Sequence, residues 1–209
     1  MKNFTKTLTM LLLVTFATTT QVQASDFYAV NDDTNIGERS DSIKEMKMES
    51  IQKQNFDKAM MERAIELASK SIDNGGGPFG AVITKDGKIV GEASNSVTKD
   101  NDPTAHAEVN AIRQACKNLG TFMLDGCTIY TSCEPCPMCL GAIYWSHIGK
   151  IYYGGNQKDA AQAGFDDKFI YDEIDLRPED RKTKMEELLP KEAAQVFEKW
   201  LKKTDKTEY

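Results

Sequence analysis

One pair of motifs constrains this chain more than anything else in it: His106-Ala-Glu108, answered thirty residues on by Cys136-Pro-Met-Cys139. Neutral imidazole and thiolate are the donors zinc prefers, and a catalytic zinc takes three protein ligands and keeps one position open. His106, Cys136 and Cys139 supply the three. Glu108, two residues past the histidine, is placed to move protons without binding the metal. Cys133 offers a competing arrangement, a closed structural site of three cysteines and one histidine. That leaves Glu108 without a task, and Cys133 reads instead as the end of the Ile129-Tyr130-Thr131 strand.

The surrounding residues place these groups on helices. Asp102-Pro103 reads as an N-cap and first helical residue, followed by Ala105, Val109, Ile112, Cys116 and Leu119 at helical spacing, with Gly120 as the stop. Cys136 and Cys139 open a second helix that continues through Leu140, Ile143 and Tyr144. Helix N-termini carry partial positive charge and favour thiolate over thiol.

Upstream, Phe56, Met60, Ala64, Leu67, Ala68 and Ile72 form an amphipathic helix from Asn55, ended by Asn74 and Gly75-Gly76-Gly77. Residues 79–84 and 88–94 flank Asp86-Gly87, a hairpin signal. Strands at 127–131 and 150–154 alternate with the helices, which implies an α/β layered fold with an antiparallel edge. Residues 157–163 read as a short helix, and two more helices start at Pro178 and Pro190. The last presents Ala193, Val196, Phe197, Trp200 and Leu201 on one face.

The front of the chain reads differently. Lys2 and Lys6 precede an apolar run, Leu8 to Ala17, and Val22-Gln23-Ala24 fits a signal-peptidase site. The expected division is a signal peptide over 1–24, a flexible polar leader over 25–50 and a catalytic domain with a helical tail over 51–209. Export to the periplasm follows, or a cytoplasmic location if the N-terminus stays uncleaved. Loss of Lys2 and Lys6 takes the balance from 26 Lys+Arg against 32 Asp+Glu to 24 against 32. An acidic chain with no basic cluster before its tail argues for a small-molecule substrate over nucleic acid, and no membrane span is visible. Cys116, Cys127 and Cys133 form no disulfide framework. His147 is read as a surface residue.

The order His-x-Glu then Pro-Cys-x-x-Cys is the general signature of zinc base deaminases. Beyond it, Gly77-Pro-Phe-Gly-Ala-Val-Ile83, Asn95, Asn101 to Glu108, Cys139 to Trp145, Ala163-Gly-Phe-Asp-Asp-Lys-Phe-Ile-Tyr171 and Glu208-Tyr209 resemble the bacterial guanine deaminases of the cytidine/deoxycytidylate deaminase family. The resemblance implies a three-layer α/β/α fold with a five-stranded mixed sheet, and a homodimer with exchanged C-terminal segments. It implies one zinc per subunit and hydrolysis of guanine to xanthine and ammonia, with Glu108 as the proton carrier. It also implies substrate contacts from Phe79, Asn95, Ala107, Trp145, Asp167 and Tyr209. Guanosine, another aminopurine or a pteridine is the alternative substrate, and a zinc-stabilised module without catalysis is the alternative of another class.

Overall fold

The computed structural model describes residues 33 to 208. The expected signal peptide, the first part of the leader and Tyr209 lie outside the described residues. Helix α1 (Asp33–Asp73) takes in residues 33–50, which the sequence reading assigned to the leader. That stretch lacks an apolar stripe, but Glu, Lys, Arg and Met supply eight of the twelve residues from Glu38 to Glu49 and favour helix by intrinsic preference. Its side chains from Arg39 to Ser50 are exposed. Met48 to Tyr209 forms one compact unit, and it contains all the candidate site residues that the structure describes.

The sheet is built from β1 (Gly80–Lys85), β2 (Lys88–Ser94), β3 (Thr128–Cys133) and β4 (Lys150–Gly155) in the order β2-β1-β3-β4. β1 runs antiparallel to both β2 and β3, and β3 is parallel to β4. The β1–β2 turn is made by Asp86 and Gly87, at φ 49° and 72°. This is the pair of left-handed residues that a tight hairpin requires. The sheet is mixed, as expected, but among the described residues it has four strands and not the five implied by the resemblance. After β4 the chain commits to helix: Asn156 and Asp159 form a reciprocal capping box that starts α5 (Gln157–Gln162). Helix α6 (Lys168–Asp175) follows, and residues 176–189 hold two features hostile to a further strand, Pro178 and dense charge. The helix expected at Pro178 is only a 3-10 turn, Pro178–Asp180.

Alternation along the strands sends side chains to two helical layers. On one face Val82 and Tyr130 pack with Ala64, Met60 and Leu67 of α1. On the other, Ala81, Ile83 and Ile129 meet Ala107, Ala111 and Ala115 of α3 (Ala107–Leu119) and Ile143 of α4 (Pro137–Trp145). This is the α/β/α sandwich. Gly91 lets α3 lie against β2, because a Cβ there would come within 2.5 Å of the Ala111 carbonyl oxygen. The outer edge of β2 is closed by the same helix: the Glu92 N–H donates to Gln114 Oε1 at 2.6 Å, and Asn118 donates to the Val90 carbonyl at 2.9 Å.

Candidate active site

Both metal-ligand motifs sit where a strand or loop turns into a helix. His106 is the N-cap of α3, with extended backbone at φ −71° and ψ 156°. The Asp102-Pro103 pair predicts this cap four residues earlier, at Asp102. Asp102 instead spends its carboxylate on its own turn, accepting the Thr104 N–H and hydroxyl at 2.7 Å each, so the helix begins at Ala107. Cys136 is the N-cap of α4, with Pro137 at the first helical position. Two helix N-termini therefore converge on one point from elements packed on the same face of the sheet.

There the His106 Nδ1 lies 3.6 Å from Cys136 Sγ and 3.4 Å from Cys139 Sγ. The three ligand atoms fall within 4.8 Å of one another. Tetrahedral zinc with ordinary bond lengths sets its nitrogen and sulfur ligands about 3.6 Å apart, so the residues fit that ion. Cys133 ends β3 and is not part of the group; its Sγ faces the Asn156 carbonyl at 3.9 Å. The site is thus a three-ligand one. Cys139 and Cys136 share a hydrogen bond, which holds Cys136 down at about 4 and pushes Cys139 up. Two cysteine sulfurs packed against an imidazole are a donor set from which a soft divalent cation displaces protons.

Glu108 is 5% exposed. Burial pushes its carboxyl above the usual range, and the negative Cys136 adds to the push. Its two oxygens are held from opposite sides, Oε1 by the Thr131 hydroxyl at 3.1 Å and Oε2 by Cys139 Sγ at 3.4 Å. Thr131 gave no signal in the sequence beyond its place in an alternating strand.

A cavity of about 480 Å³ opens onto this cluster, lined by His106, Glu108 and Cys136 at one end. Phe79, Asn95 and Asp167, three of the substrate contacts that the resemblance implies, line it too. The Asn95 Oδ1 accepts the backbone N–H groups of Gly77 at 3.2 Å and Val97 at 3.3 Å. That fixes the amide orientation and leaves its NH2 as a donor. Asp167 is the N-cap of α6 yet makes no side-chain capping bond. Asp166 takes that task, accepting the Lys168 N–H at 3.0 Å. The Asp167 carboxylate is therefore free for a ligand, and burial first, then the Cys136 charge, pushes its pKa up.

Two expected contacts stand elsewhere. Ala107 is a core residue whose side chain packs against the sheet; what it has to offer is the unpaired N–H of the first helical position. Trp145, at the end of α4, is 69% exposed and does not line the cavity of its own chain. Conversely, Val97, Pro103, Phe165, Phe169 and Ile170 are wall residues that the sequence reading did not assign. Pro103, Phe165, Phe169 and Ile170 stand in stretches that carry the resemblance, whereas Val97 has no such signal. The Phe165 ring meets Phe79 edge to face, with centroids 5.0 Å apart.

Residues 54–155 match the model of the cytidine and deoxycytidylate deaminase zinc-binding region. The guanine deaminase of Bacillus subtilis (strain 168) is 53% identical over 150 residues, which cover 71% of this chain and 96% of that protein. The chain belongs to the cytidine and deoxycytidylate deaminase family. A crystal structure of the guanine deaminase from Bacillus subtilis superposes with a TM-score of 0.71 at 52% identity, covering 73% of this chain and 98% of that one. The tRNA-specific adenosine deaminase of Aquifex aeolicus (strain VF5) is 43% identical over 95 residues, covering 46% of this chain and 63% of that protein. Similarity to that family member is confined to a smaller part of the chain. The family model covers the zinc centre of His106, Cys136 and Cys139 together with Phe79, Asn95 and Glu108, and ends before Asp167.

Proposed function

We infer that this chain is a zinc-dependent guanine deaminase that hydrolyses guanine to xanthine and ammonia. One observation carries the reading: a three-ligand metal cluster and a buried carboxylate open into the same cavity as a fixed amide donor and a free carboxylate acceptor. The near full-length similarity to the Bacillus subtilis guanine deaminase supports the choice of base.

His106, Cys136 and Cys139 hold the zinc, one per subunit. Bound there, it supplies the Lewis acidity that makes water a nucleophile near neutral pH. Glu108 would take a proton of the attacking water and deliver it to ring nitrogen N3. It would then take the proton of the newly added hydroxyl and pass it to the amino group, which leaves as ammonia as its bond to C2 breaks. Burial raises the Glu108 pKa, which favours return of a proton once taken. The Asn95 NH2 donates to an acceptor on the purine, Asp167 accepts a purine N–H, and Phe79 with Phe165 walls the planar ring.

The chain is further proposed to act as a homodimer with exchanged C-terminal segments. Helix α7 (Pro190–Lys202) buries none of its residues, and Phe197 on its apolar face is 71% exposed. Tyr144 and Trp145 are exposed on α4 as well. A second copy that covers these surfaces would let Trp145 reach a cavity it does not line within one chain, and Tyr209 is proposed to cap the purine in the same assembly. Export remains a proposal that rests on the pattern up to Ala24. No helix among the described residues is long and apolar enough to cross a membrane. The small-molecule reading, without nucleic acid as substrate, rests on the acidic balance.

Ammonia release from guanine, guanosine, adenine, cytosine and cytidine by the zinc-loaded protein tests the activity. Guanine is expected to lead, and faster release from guanosine would transfer the reading to the nucleoside. Glu108→Gln separates an enzyme from a zinc-stabilised module: zinc and fold stay while turnover is lost.

A further inference from the structure

Helix α6 forms a wall of the cavity through Phe169 and Ile170, and its N-cap is Asp167. Yet it is eight residues long and buries none of them. A helix that short does not hold itself in water, and this one receives little from apolar burial. Two polar attachments hold it. Near its middle, the Tyr171 hydroxyl donates to the Pro135 carbonyl at 3.3 Å, directly before the metal ligand Cys136; the Gln157 side chain joins the same hydroxyl. At its end, the Arg181 guanidinium takes three carbonyls of the last turn and C-cap, where intrahelical donors run out; that of Glu173 also accepts the Leu176 N–H at 3.3 Å. The Arg181 Nε donates to Glu173 at 2.9 Å and Leu176 at 3.2 Å, and Nη2 donates to Ile174 at 3.1 Å. The Lys182 N–H closes the bracket on Glu173 Oε2 at 2.8 Å. The rigid fork of arginine serves several acceptors at once, which a lysine ammonium does not do in the same geometry.

We propose that Tyr171 and Arg181 are positioning residues for substrate, holding α6 so that Asp167 faces the purine beside the metal ligands. This rests on the reading of Asp167 as the acceptor of a purine N–H. Neither residue lines the cavity, so both act through the helix. Tyr171 sets the distance between α6 and the Pro135-Cys136 loop, and Arg181 keeps the last turn from unwinding. Loss of either frees Asp167 to wander and weakens binding of the base, while the metal and Glu108 stay in place.

The test uses the full zinc-loaded protein with Tyr171→Phe and Arg181→Lys. Each is expected to raise KM for guanine about five- to tenfold with kcat within about twofold and zinc content unchanged. In an Asp167→Asn background neither change should move KM further, since residues that act through one group are not additive. Hydrogen exchange gives a readout that needs no substrate: amides of 165–176 should exchange faster in both variants, with those of α3 unaltered. If the parent enzyme turns over guanine and KM is unmoved in both variants, the inference fails. It fails equally if both lose zinc or kcat with KM intact, the mark of a merely structural role. A parent inactive on guanine would overturn the proposed function instead, and unchanged exchange in α6 would then still overturn the bracket.

Discussion

Thr131 donates its hydroxyl to Glu108 Oε1 over 3.1 Å, from the sheet face that also carries Ala81 and Ile129. A carboxylate that must take a proton and return it needs one fixed orientation, and this bond supplies it from a buried residue of an interior strand. Thr131→Val keeps the shape and removes the donor. We expect kcat on guanine to fall at least tenfold, equal to about 1.4 kcal/mol in the barrier, with KM changed less and zinc retained. Thr131→Ser should restore most of the rate. Steady-state kinetics on the two variants decides it, and a fully active valine variant removes Thr131 from the mechanism.

The metal set makes its own prediction. Cys133 sits three residues from Cys136 but outside the cluster. Cys133→Ser should keep one zinc per subunit, and Cys136→Ser or Cys139→Ser should lose it. Removal of the metal by a chelator should abolish ammonia release, and added zinc should restore it. Metal analysis of the purified variants is the measurement; equal loss of zinc in Cys133→Ser would restore the closed structural site.

On the far face of the sheet, the Asp57 carboxylate accepts the Tyr130 hydroxyl at 2.6 Å and the Tyr152 hydroxyl at 2.7 Å, beneath two rings stacked 5.1 Å apart. Burial works against the charge, but the two hydroxyls and Lys53 outweigh it and hold the pKa below the usual 3.8. A carboxyl whose folded value is depressed stabilises the fold above its unfolded value and loses that contribution as pH falls through the folded one. Asp57→Asn should therefore cost about 1–3 kcal/mol in urea melts near neutral pH. The gap to the parent should stay constant from pH 8 to about 5 and shrink below about 4. A gap that widens on acidification would contradict the sign.

The parts of this molecule that were legible in the sequence are those fixed by local geometry. His106 with Glu108, and Cys136 with Cys139, lie within single helix starts, so their spacing alone brings them together. Asp86-Gly87 announced its hairpin by residue type. Long-range or exposed features were not legible. Thr131 meets Glu108 only because β3 lies under α3, and Arg181 finds its carbonyls only after α6 has formed. The early turns of α1 escaped notice because exposed helix carries no apolar rhythm. The five-stranded sheet came from the resemblance and not from the residues, and nothing after Gly155 alternates in the way a strand needs. Trp145 shows the limit of carrying a role over by motif: its place in the sequence fits, but its own chain leaves it on the surface.

The neighbours Asp166 and Asp167 divide two tasks that sequence cannot tell apart, and a pair of substitutions separates them. Asp166 spends an oxygen on the Lys168 N–H, so it stabilises the start of α6. Asp167 makes no capping bond and sits partly desolvated in the cavity, with its pKa raised by burial and by the Cys136 charge. A carboxyl whose folded pKa is raised is less favourable folded than unfolded when ionised, so its charge costs stability at neutral pH. Asp167→Asn should leave Tm equal to the parent or slightly higher. It should lower kcat/KM for guanine at least about thirtyfold, near 2 kcal/mol, as a charged acceptor of a purine N–H is lost. Asp166→Ala should do the reverse in emphasis: a loss of about 1 kcal/mol in stability from the missing cap, and a smaller effect on kcat/KM. Thermal melts and guanine kinetics on the two variants give the answer. If Asp167→Asn costs stability and spares kcat/KM, the carboxylate belongs to the fold and the purine finds its acceptor elsewhere in the cavity.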